Sequence, residues 1–417
     1  MSDPGTDAEA RPEPELLTEP RDGTPDVVTD PGELRRTAEA IAAGTGPIAV
    51  DTERASGYRY SQRAYLVQVR REGAGTALID PIALDGQVGP LVEALTGPEW
   101  VLHAASQDLP CLAELDLRPS ALFDTELAGR LAGYDRVALG TMVEQLLGYR
   151  LEKGHGAADW SRRPLPRAWL DYAALDVELL VQLRDVLVEE LRRQGKLDWA
   201  LEEFEALRTA APAAPRKEPW RRTSGIHRAR NPRALAAVRA LWQERDALAR
   251  QRDIAPGRVL PDSAIMQAAT TNPKDDTELL ALPVFGGRAQ RRLVGTWMRA
   301  LRSAAELTRA ELPEQSPAHD GPPPANRWSD KDPDAAARLA ATRAALAEIA
   351  EAHTLPVENL LQPDLMRRTC WEPPADLTPE GTAAALRAGG AREWQIALVA
   401  DTMSRTLKVA AETDSAS

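Results

Sequence analysis

The chain has 417 residues, of which 43% are hydrophobic and 27% charged, and its net charge is −12. This composition is typical of a soluble globular protein with two or three domains and argues against one large domain. No apolar run reaches the roughly 18 residues of a membrane span and the N-terminus does not resemble a signal peptide, so we expect a cytoplasmic protein without a membrane partner.

The first 33 residues are strongly acidic. They carry ten Asp and Glu residues against two arginines, a net charge of −8, so the other 384 residues carry only −4. A segment rich in proline and acidic residues cannot bury a core, and we predict a disordered tail over residues 1–33. The net charge of the chain therefore does not exclude a nucleic-acid partner.

Residues 34–208 alternate between short β-rich runs and helical stretches, which predicts an α/β domain. The runs "PIAVDTE", "RAYLVQVR", "TALIDP" and "EWVLHA" are the predicted strands. The two cysteines, Cys111 and Cys370, lie far apart without the spacing of a zinc site or a disulfide framework, so we expect buried reduced thiols.

Two all-α modules are predicted after this domain. A Pro-rich linker over residues 209–226 precedes a helical domain over 227–307, and a second linker over 308–333 precedes a helical domain over 334–410. Between Arg216 and Arg258, twelve Lys and Arg residues stand against four acidic residues, a local charge of +8. This basic stretch could face phosphates, or it could be a solvated helix face.

Asp51 and Glu53 end the first predicted strand of the α/β domain. Positions i and i+2 of a strand point to the same face, so these two carboxylates converge. Like charges at close range raise each other's pKa unless a cation lies between them, and oxygen ligands favour Mg²⁺ or Mn²⁺. The alternative is that the aspartate at a strand end caps a turn.

Two further acidic positions follow in the chain. Asp108 opens a helix after the strand "EWVLHA". The alternative to a functional role is that it is simply a helix cap. Tyr172 and Asp176 stand four residues apart in "WLDYAALDVELL" and share one helix face, where they could be a half-buried tyrosine beside a surface acid.

The combination of these motifs is more specific than any of its parts. The order D-x-E, Asp, Y-x-x-x-D resembles the tyrosine-containing branch of the DEDD superfamily of 3′–5′ exonucleases. The words "LHAASQDL", "FDTELAGRLAGY" and "LEKGHGAADWSRRPLPRAWLDYAALDVELL" are similar to the ribonuclease D family. This resemblance runs from Gly46 to Leu191, and residues from Asn231 to Ala304 resemble the HRDC module, the helicase-and-ribonuclease-D C-terminal domain.

The resemblance implies a ribonuclease-H-like exonuclease domain, with a mixed sheet flanked by helices, followed by two HRDC-like helical modules. It also implies that Asp51 bridges two metal ions, that Glu53 and Asp176 complete the site of the ion that activates water, and that Asp108 supports the second ion. Tyr172 would orient the attacking water. Two Mg²⁺ ions roughly 4 Å apart, with Mn²⁺ as a possible substitute, would stabilise the attacking and leaving oxygens.

A second set of residues is predicted to bind the substrate: Thr52, Gln68, His103, Lys153, Arg221, Arg222 and Arg228. His103 could instead be a hydrogen-bonded core residue, and Gln68 could pair inside the sheet. The segment "GHGAA" departs from the Ser/Arg/Thr-rich stretch expected in the family, which affects the details of substrate contact.

The resulting functional hypothesis is a metal-dependent 3′–5′ exoribonuclease that releases 5′-monophosphates. The resemblance implies tRNA precursors and other small structured RNAs as substrates, and a monomeric protein. One alternative is the same reaction on single-stranded DNA, because the motif does not read the 2′-hydroxyl. A different class of alternative is a non-catalytic nucleic-acid-binding protein.

Overall fold

A computed structural model describes residues 13–152, 154–212, 214–315 and 321–412 of the chain. Its strands are β1 Glu15–Leu17, β2 Val27–Val28, β3 Thr45–Arg54, β4 Ala64–Glu72, β5 Gly75–Ile79, β6 Glu99–Leu102, β7 Ala121–Asp124 and β8 Tyr149–Leu151. The four predicted strands correspond to β3, β4, β5 and β6. The other four strands, β1, β2, β7 and β8, were not predicted from the sequence.

Six of these strands form one mixed sheet in the order β2-β5-β4-β3-β6-β7. β3 pairs antiparallel with β4 and parallel with β6, and β4 pairs antiparallel with β5. β3 therefore lies in the middle of the sheet, and its residues Ile48, Ala49 and Val50 are fully buried. A central strand is covered on both faces of the sheet, which explains why this run is so apolar.

The N-terminal prediction is wrong for residues 13–33. β1 pairs with β8, β2 pairs with β5 at the edge of the main sheet, and the first helix begins at Pro31. Leu17 and Val28 are buried in the same core as the sheet. The composition of the segment does not reveal these strands, because their pairing partners lie about fifty to more than a hundred residues away in the chain. Residues 1–12 of the predicted tail lie outside the described residues.

Helices flank the sheet and complete the predicted α/β fold. They are α1 Pro31–Ala43, α2 Gly89–Leu95, α3 Leu109–Ala113, α4 Thr125–Ala132, α5 Leu139–Leu147, α6 Arg167–Glu178, α7 Leu180–Arg193 and α8 Leu197–Thr209. The apolar stripe from Ala173 to Leu187 predicts one continuous helix, but the chain breaks at Leu179, where α6 ends and α7 begins. Cys111 and Cys370 are buried free thiols, as expected.

The first helical module has a core of its own. Its helices are α9 Pro232–Arg252, α10 Pro256–Val259, α11 Asp262–Thr271, α12 Asp276–Leu280, α13 Arg288–Arg291 and α14 Val294–Glu306. Asn231 caps α9 through a hydrogen bond to the Ala234 amide, as its position before Pro232 predicts. Trp220, assigned above to the linker, is buried in this core, so the module begins before residue 227.

The second helical module packs on the α/β domain. It consists of α15 Trp328–Lys331, α16 Pro333–Ala352, α17 Val357–Leu360, α18 Pro363–Trp371, α19 Pro379–Ala388 and α20 Glu393–Glu412. The indole of Trp394 stacks on that of Trp199 at 5.0 Å, and the Lys196 ammonium donates to the Thr354 carbonyl. Trp328, also assigned to a linker, is fully buried. None of the described helices is long and apolar enough to cross a membrane.

The first helical module also contacts the loop that follows β3. The Tyr60 hydroxyl donates to Asp246 at 3.0 Å, and the Asp253 carboxylate accepts a hydrogen bond from the Ser61 amide. The Arg258 guanidinium lies 4.1 Å from the centre of the Tyr58 ring. These contacts matter because the same loop, residues 55–63, continues directly from the end of β3.

Candidate active site

Asp51 and Glu53 lie within β3, near the end of its pairing with β4. In the register, Asp51 faces Gln68 and Glu53 faces Leu66, so both side chains point to the sheet face that α6 covers. Because the strand continues to Arg54, Asp51 is not at a strand end where it would cap a turn. The expected convergence of the two carboxylates is thus present.

Helix α6 adds the third carboxylate. Asp176 and Tyr172 lie one turn apart on α6, and the buried residues Ala173 and Ala174 seat this helix closely against the sheet. Carboxylate oxygens of Asp51, Glu53 and Asp176 lie within 4.8 Å of one another. The Tyr172 hydroxyl donates a hydrogen bond to Asp176.

Asp108 reaches the same region from β6 through a tight turn. Asp124, at the end of the neighbouring β7, accepts hydrogen bonds from the amides of Ala104 and Ala105 and so holds this turn, in which Ala104 is left-handed. Asp108 precedes α3, but its side chain does not cap that helix. It accepts a hydrogen bond of 3.0 Å from the Thr52 hydroxyl instead.

The electrostatics of the four carboxylates follow from burial and mutual repulsion. Burial raises the pKa of Asp51 and of Glu53 well above the ordinary values, and the neighbouring carboxylates raise both further. Burial raises the pKa of Asp108 to about 6, against the opposing charge of Arg54. Burial also raises the pKa of Asp176 to about 7, although the Tyr172 hydrogen bond opposes this. The pKa of the Tyr172 hydroxyl is raised as well, chiefly by burial, so this group remains protonated.

Such a cluster fits divalent cations with oxygen ligands. Three converging carboxylates without a cation between them are costly to ionise, and a bound metal removes that cost. Asp108 lies outside the group of three but close enough to raise the pKa of both Asp51 and Asp176. The arrangement therefore offers three direct ligands and one more distant carboxylate.

A cavity of about 280 Å³ opens beside the cluster, lined by Thr52, Glu53, Arg54, Ser56, Gly57, Gly156, Ala157 and Ala158. The wall made by residues 156–158 belongs to the loop before α6. Arg163 anchors that loop to the sheet through hydrogen bonds to Asp80 and to the Tyr65 carbonyl, each of 2.8 Å. The His155 ring meets the Tyr172 ring edge-on at 5.9 Å.

Three predicted substrate residues lie in or near the sheet. Thr52 is buried and bonded to Asp108. Gln68 is fully buried opposite Asp51, and neither polar atom of its amide has a hydrogen-bond partner among the described residues. His103 bonds the Thr125 hydroxyl at 2.9 Å, and burial lowers its pKa to about 4, which favours the alternative of a neutral, hydrogen-bonded core residue.

The basic residues proposed for RNA lie in the first helical module or before it. Arg221 forms an ion pair with Glu218 and lies over the Trp220 ring at 4.3 Å, so its guanidinium already has partners within the protein. Arg222 and Arg228 are exposed. Arg228 also lines a larger cavity of about 620 Å³ at the start of α9. Lys153 lies outside the described residues.

Sequence reasoning missed four residues that shape the site: Arg54, Asp124, His155 and Arg163. Arg54 directly follows the predicted strand "PIAVDTE", Asp124 lies in "FDTELAGRLAGY", and both His155 and Arg163 lie in "LEKGHGAADWSRRPLPRAWLDYAALDVELL". No local pattern indicates their roles, because each acts through a partner distant in the chain.

Family models match three parts of the chain. Residues 25–192 match a model described as a 3′-5′ exonuclease, residues 234–301 match the HRDC domain, and residues 321–407 match a 3′ to 5′ exonuclease C-terminal domain. The first match contains all four carboxylates and Tyr172. The mixed sheet with flanking helices followed by helical modules is therefore the fold that the sequence predicted.

Relatives match over most of their length. Ribonuclease D of Gluconacetobacter diazotrophicus is 31% identical over 79% of this chain and 82% of its own length. A protein of known structure from Bifidobacterium adolescentis is 38% identical, with a TM-score of 0.87 over 95% of this chain and all of the other. Escherichia coli RNase D, described as an exoribonuclease involved in structured RNA processing, is 25% identical, with a TM-score of 0.65 over 92% of this chain and 98% of its own.

Proposed function

We propose that this chain, which belongs to the ribonuclease D family, works as a 3′–5′ exoribonuclease through a metal site formed by Asp51, Glu53, Asp176 and Asp108. The chain is an enzyme of the 3′–5′ exoribonuclease type.

The observation that carries the residue assignment is the convergence of three carboxylates within 4.8 Å beside a cavity. Glu53 and Asp176 would bind one Mg²⁺, Asp51 would bridge it to a second, and Asp108 would support the second ion. Two such ions supply charge stabilisation for both the attacking and the leaving oxygens of an in-line displacement at phosphorus. Mn²⁺, which accepts the same ligands, is a possible substitute.

The protein's own residues then have distinct tasks. The Tyr172 hydroxyl, still protonated and bonded to Asp176, can orient a water molecule beside that carboxylate. Thr52 holds Asp108 in place through its hydrogen bond. The wall at residues 156–158, anchored by Arg163, would cover the terminal nucleotide and limit its access to bulk water.

RNA is the substrate that the relatives favour over single-stranded DNA, since they are ribonuclease D proteins. We assign tRNA precursors with 3′ extensions and other small structured RNAs to this chain. The exposed Arg222 and Arg228 would contact the phosphates of the RNA body while its 3′ end enters the cavity. The protein is proposed to act as a monomer.

The test is incubation of the purified full chain with a 3′-extended tRNA carrying a 5′ label. In Mg²⁺ we expect a ladder that shortens from the 3′ end and release of 5′-monophosphates, and EDTA should abolish both. Asp51→Asn should lower the rate by at least about 1,000-fold, because the charge that bridges the ions is lost. Unchanged activity of Asp51→Asn would refute the site assignment, and faster digestion of a matched DNA strand would refute the substrate.

A further inference from the structure

Arg54 is a charged residue that the proposed reaction has not yet used. It is the last residue of β3 and directly follows the carboxylate residue Glu53. The ladder with β4 is irregular at this point: Glu53 faces Leu66 and Arg54 faces Ala64, so Tyr65 has no partner in β3. Such an irregularity bends and twists the strand and redirects the next side chain, and it is common beside active sites.

The guanidinium of Arg54 is only loosely engaged by the protein. Its Nη2 atom lies 3.6 Å from the Asp108 Oδ1 atom, which is an ion pair but too long for a hydrogen bond. The Arg54 side chain is 28% exposed, and the residue lines the cavity together with Glu53. A guanidinium has five N–H donors in a rigid fork, which suits two oxygens of one phosphate.

Arg54 is also the cation that acts on the acidic cluster. Its charge lowers the pKa of Asp51, of Glu53 and of Asp108. When all four carboxylates are ionised, they and the Arg54 guanidinium carry three net negative charges. Two divalent cations would change this to one net positive charge, and a single phosphodiester would then neutralise it.

This geometry points to Arg54 as a substrate-binding residue that holds the phosphate of the last phosphodiester of the RNA, the one that is cleaved. The inference rests on the proposed function, because it takes the cluster as the metal site. Arg54 compensates the Asp108 charge when no metal is bound. Bound cations would compensate that charge instead, and the Arg54 donors would then be available to the phosphate.

The position of Arg54 favours the last phosphate over one further along the RNA. A phosphate bound to its guanidinium would also lie near Asp108, which is 3.6 Å away, and therefore near the residues that would hold the cations. Upstream phosphates would leave the cavity past the loop of residues 55–63 or past the wall at 156–158. The alternative is that Arg54 serves only to stabilise Asp108 in the folded protein.

A thermodynamic cycle tests the inference without relying on turnover. The affinity of the full chain for a single-stranded RNA is measured with Ca²⁺ in place of Mg²⁺, and a gel verifies that the RNA stays intact. Wild type and Arg54→Gln are each compared on RNA with a native last linkage and on RNA with a neutral methylphosphonate there. In each protein, the methylphosphonate penalty is the factor by which the methylphosphonate weakens RNA binding. We expect this penalty to be about 10-fold smaller in Arg54→Gln than in wild type. An equal loss in both proteins would overturn the inference.

Matched variants separate phosphate binding from a structural role. Arg118→Gln removes an exposed arginine that pairs with Asp116 away from the cavity, and it should keep the wild-type penalty. Arg54→Lys keeps the charge without the fork and should give an intermediate penalty. Melting curves and Mn²⁺ titrations test the alternative that Arg54 only stabilises Asp108 in the folded protein. That alternative would be correct if Arg54→Gln were less stable than wild type but had the same methylphosphonate penalty. If instead wild type failed to degrade RNA in Mg²⁺, the proposed function itself would be wrong.

Discussion

The hydroxyl of Tyr172 donates a hydrogen bond to the carboxylate of Asp176, one turn further along α6. Burial and the surrounding carboxylates raise the pKa of this tyrosine, so it cannot act as a base near neutral pH. We therefore predict that Tyr172→Phe lowers kcat by about 10- to 100-fold with little change in KM, because the water is less well oriented.

The pH dependence distinguishes orientation from proton transfer by Tyr172. If the tyrosine only orients water, the pH profile of kcat for Tyr172→Phe should keep the shape of the wild-type profile at a lower level. A profile that loses one of its limbs would show that the tyrosine takes part in proton transfer.

Asp176 should make the metal-free protein sensitive to pH. Its pKa in the folded state is about 7, above the ordinary value of 3.8, so the folded state retains a proton that the unfolded chain releases. This contribution to stability is present below pH 4 and is lost as the pH rises through 7. In EDTA, Asp176→Asn should raise the free energy of unfolding at pH 8 by roughly 1–3 kcal/mol, and by much less at pH 4.

Added Mg²⁺ should reverse that order at pH 8. Wild type gains stability by binding the ion in its folded state, whereas Asp176→Asn has lost a ligand and gains less. Denaturant titrations with and without Mg²⁺ measure both effects. If Asp176→Asn were less stable than wild type in EDTA at pH 8, the repulsion assigned to the carboxylate cluster would be wrong.

The exposed arginines should set the salt dependence of RNA binding. Each phosphate contact that is lost should reduce the slope of log affinity against log salt concentration by about 0.7 for a single strand. We predict this change for Arg222→Gln and for Arg228→Gln. Fluorescence anisotropy over a range of KCl concentrations measures the slope.

Arg221→Gln provides a contrast within the same segment. Because Arg221 pairs with Glu218 and stacks on Trp220, its replacement should lower the melting temperature and leave the slope unchanged. If Arg221→Gln changed the slope as much as Arg222→Gln or Arg228→Gln, Arg221 would also contact the RNA.

Tyr60 should couple the first helical module to the active site. Its hydroxyl bonds Asp246, and the loop of residues 55–63 that carries it contributes Ser56 and Gly57 to the cavity wall. Tyr60→Ala should speed amide hydrogen exchange in this loop and lower kcat/KM by about 2- to 10-fold, because the wall is less well held. Unchanged exchange at Tyr58 and Ser61 would show that the module does not hold the loop.

Much of the site was predictable because its spacing is local. Residues i and i+2 of β3 share a face, and residues i and i+4 of α6 share a face, so Asp51 with Glu53 and Tyr172 with Asp176 could be paired from the sequence. The resemblance then supplied their order. The role of Asp124 was not predictable, because it holds the turn before Asp108 through hydrogen bonds that span about twenty residues.

The N-terminal segment shows where local sequence patterns fail to predict the structure. Its acidic, proline-rich composition predicted disorder, yet β1 and β2 exist because β8 and β5 offer them unpaired edges. Similarly, helical periodicity identified the second helical module, but only tertiary contacts, such as the one between Trp199 and Trp394, show that the module packs on the α/β domain.

The sequence by itself determined which side chains this protein can use and how each neighbouring pair is oriented, because strand and helix periodicities are properties of the local backbone. Only the tertiary structure decided that Asp176 meets Asp51, that Arg54 lies beside Asp108, and that a distant helical module holds the cavity wall. Those contacts depend on how separate elements pack, and packing is set by buried surfaces from all parts of the chain at once.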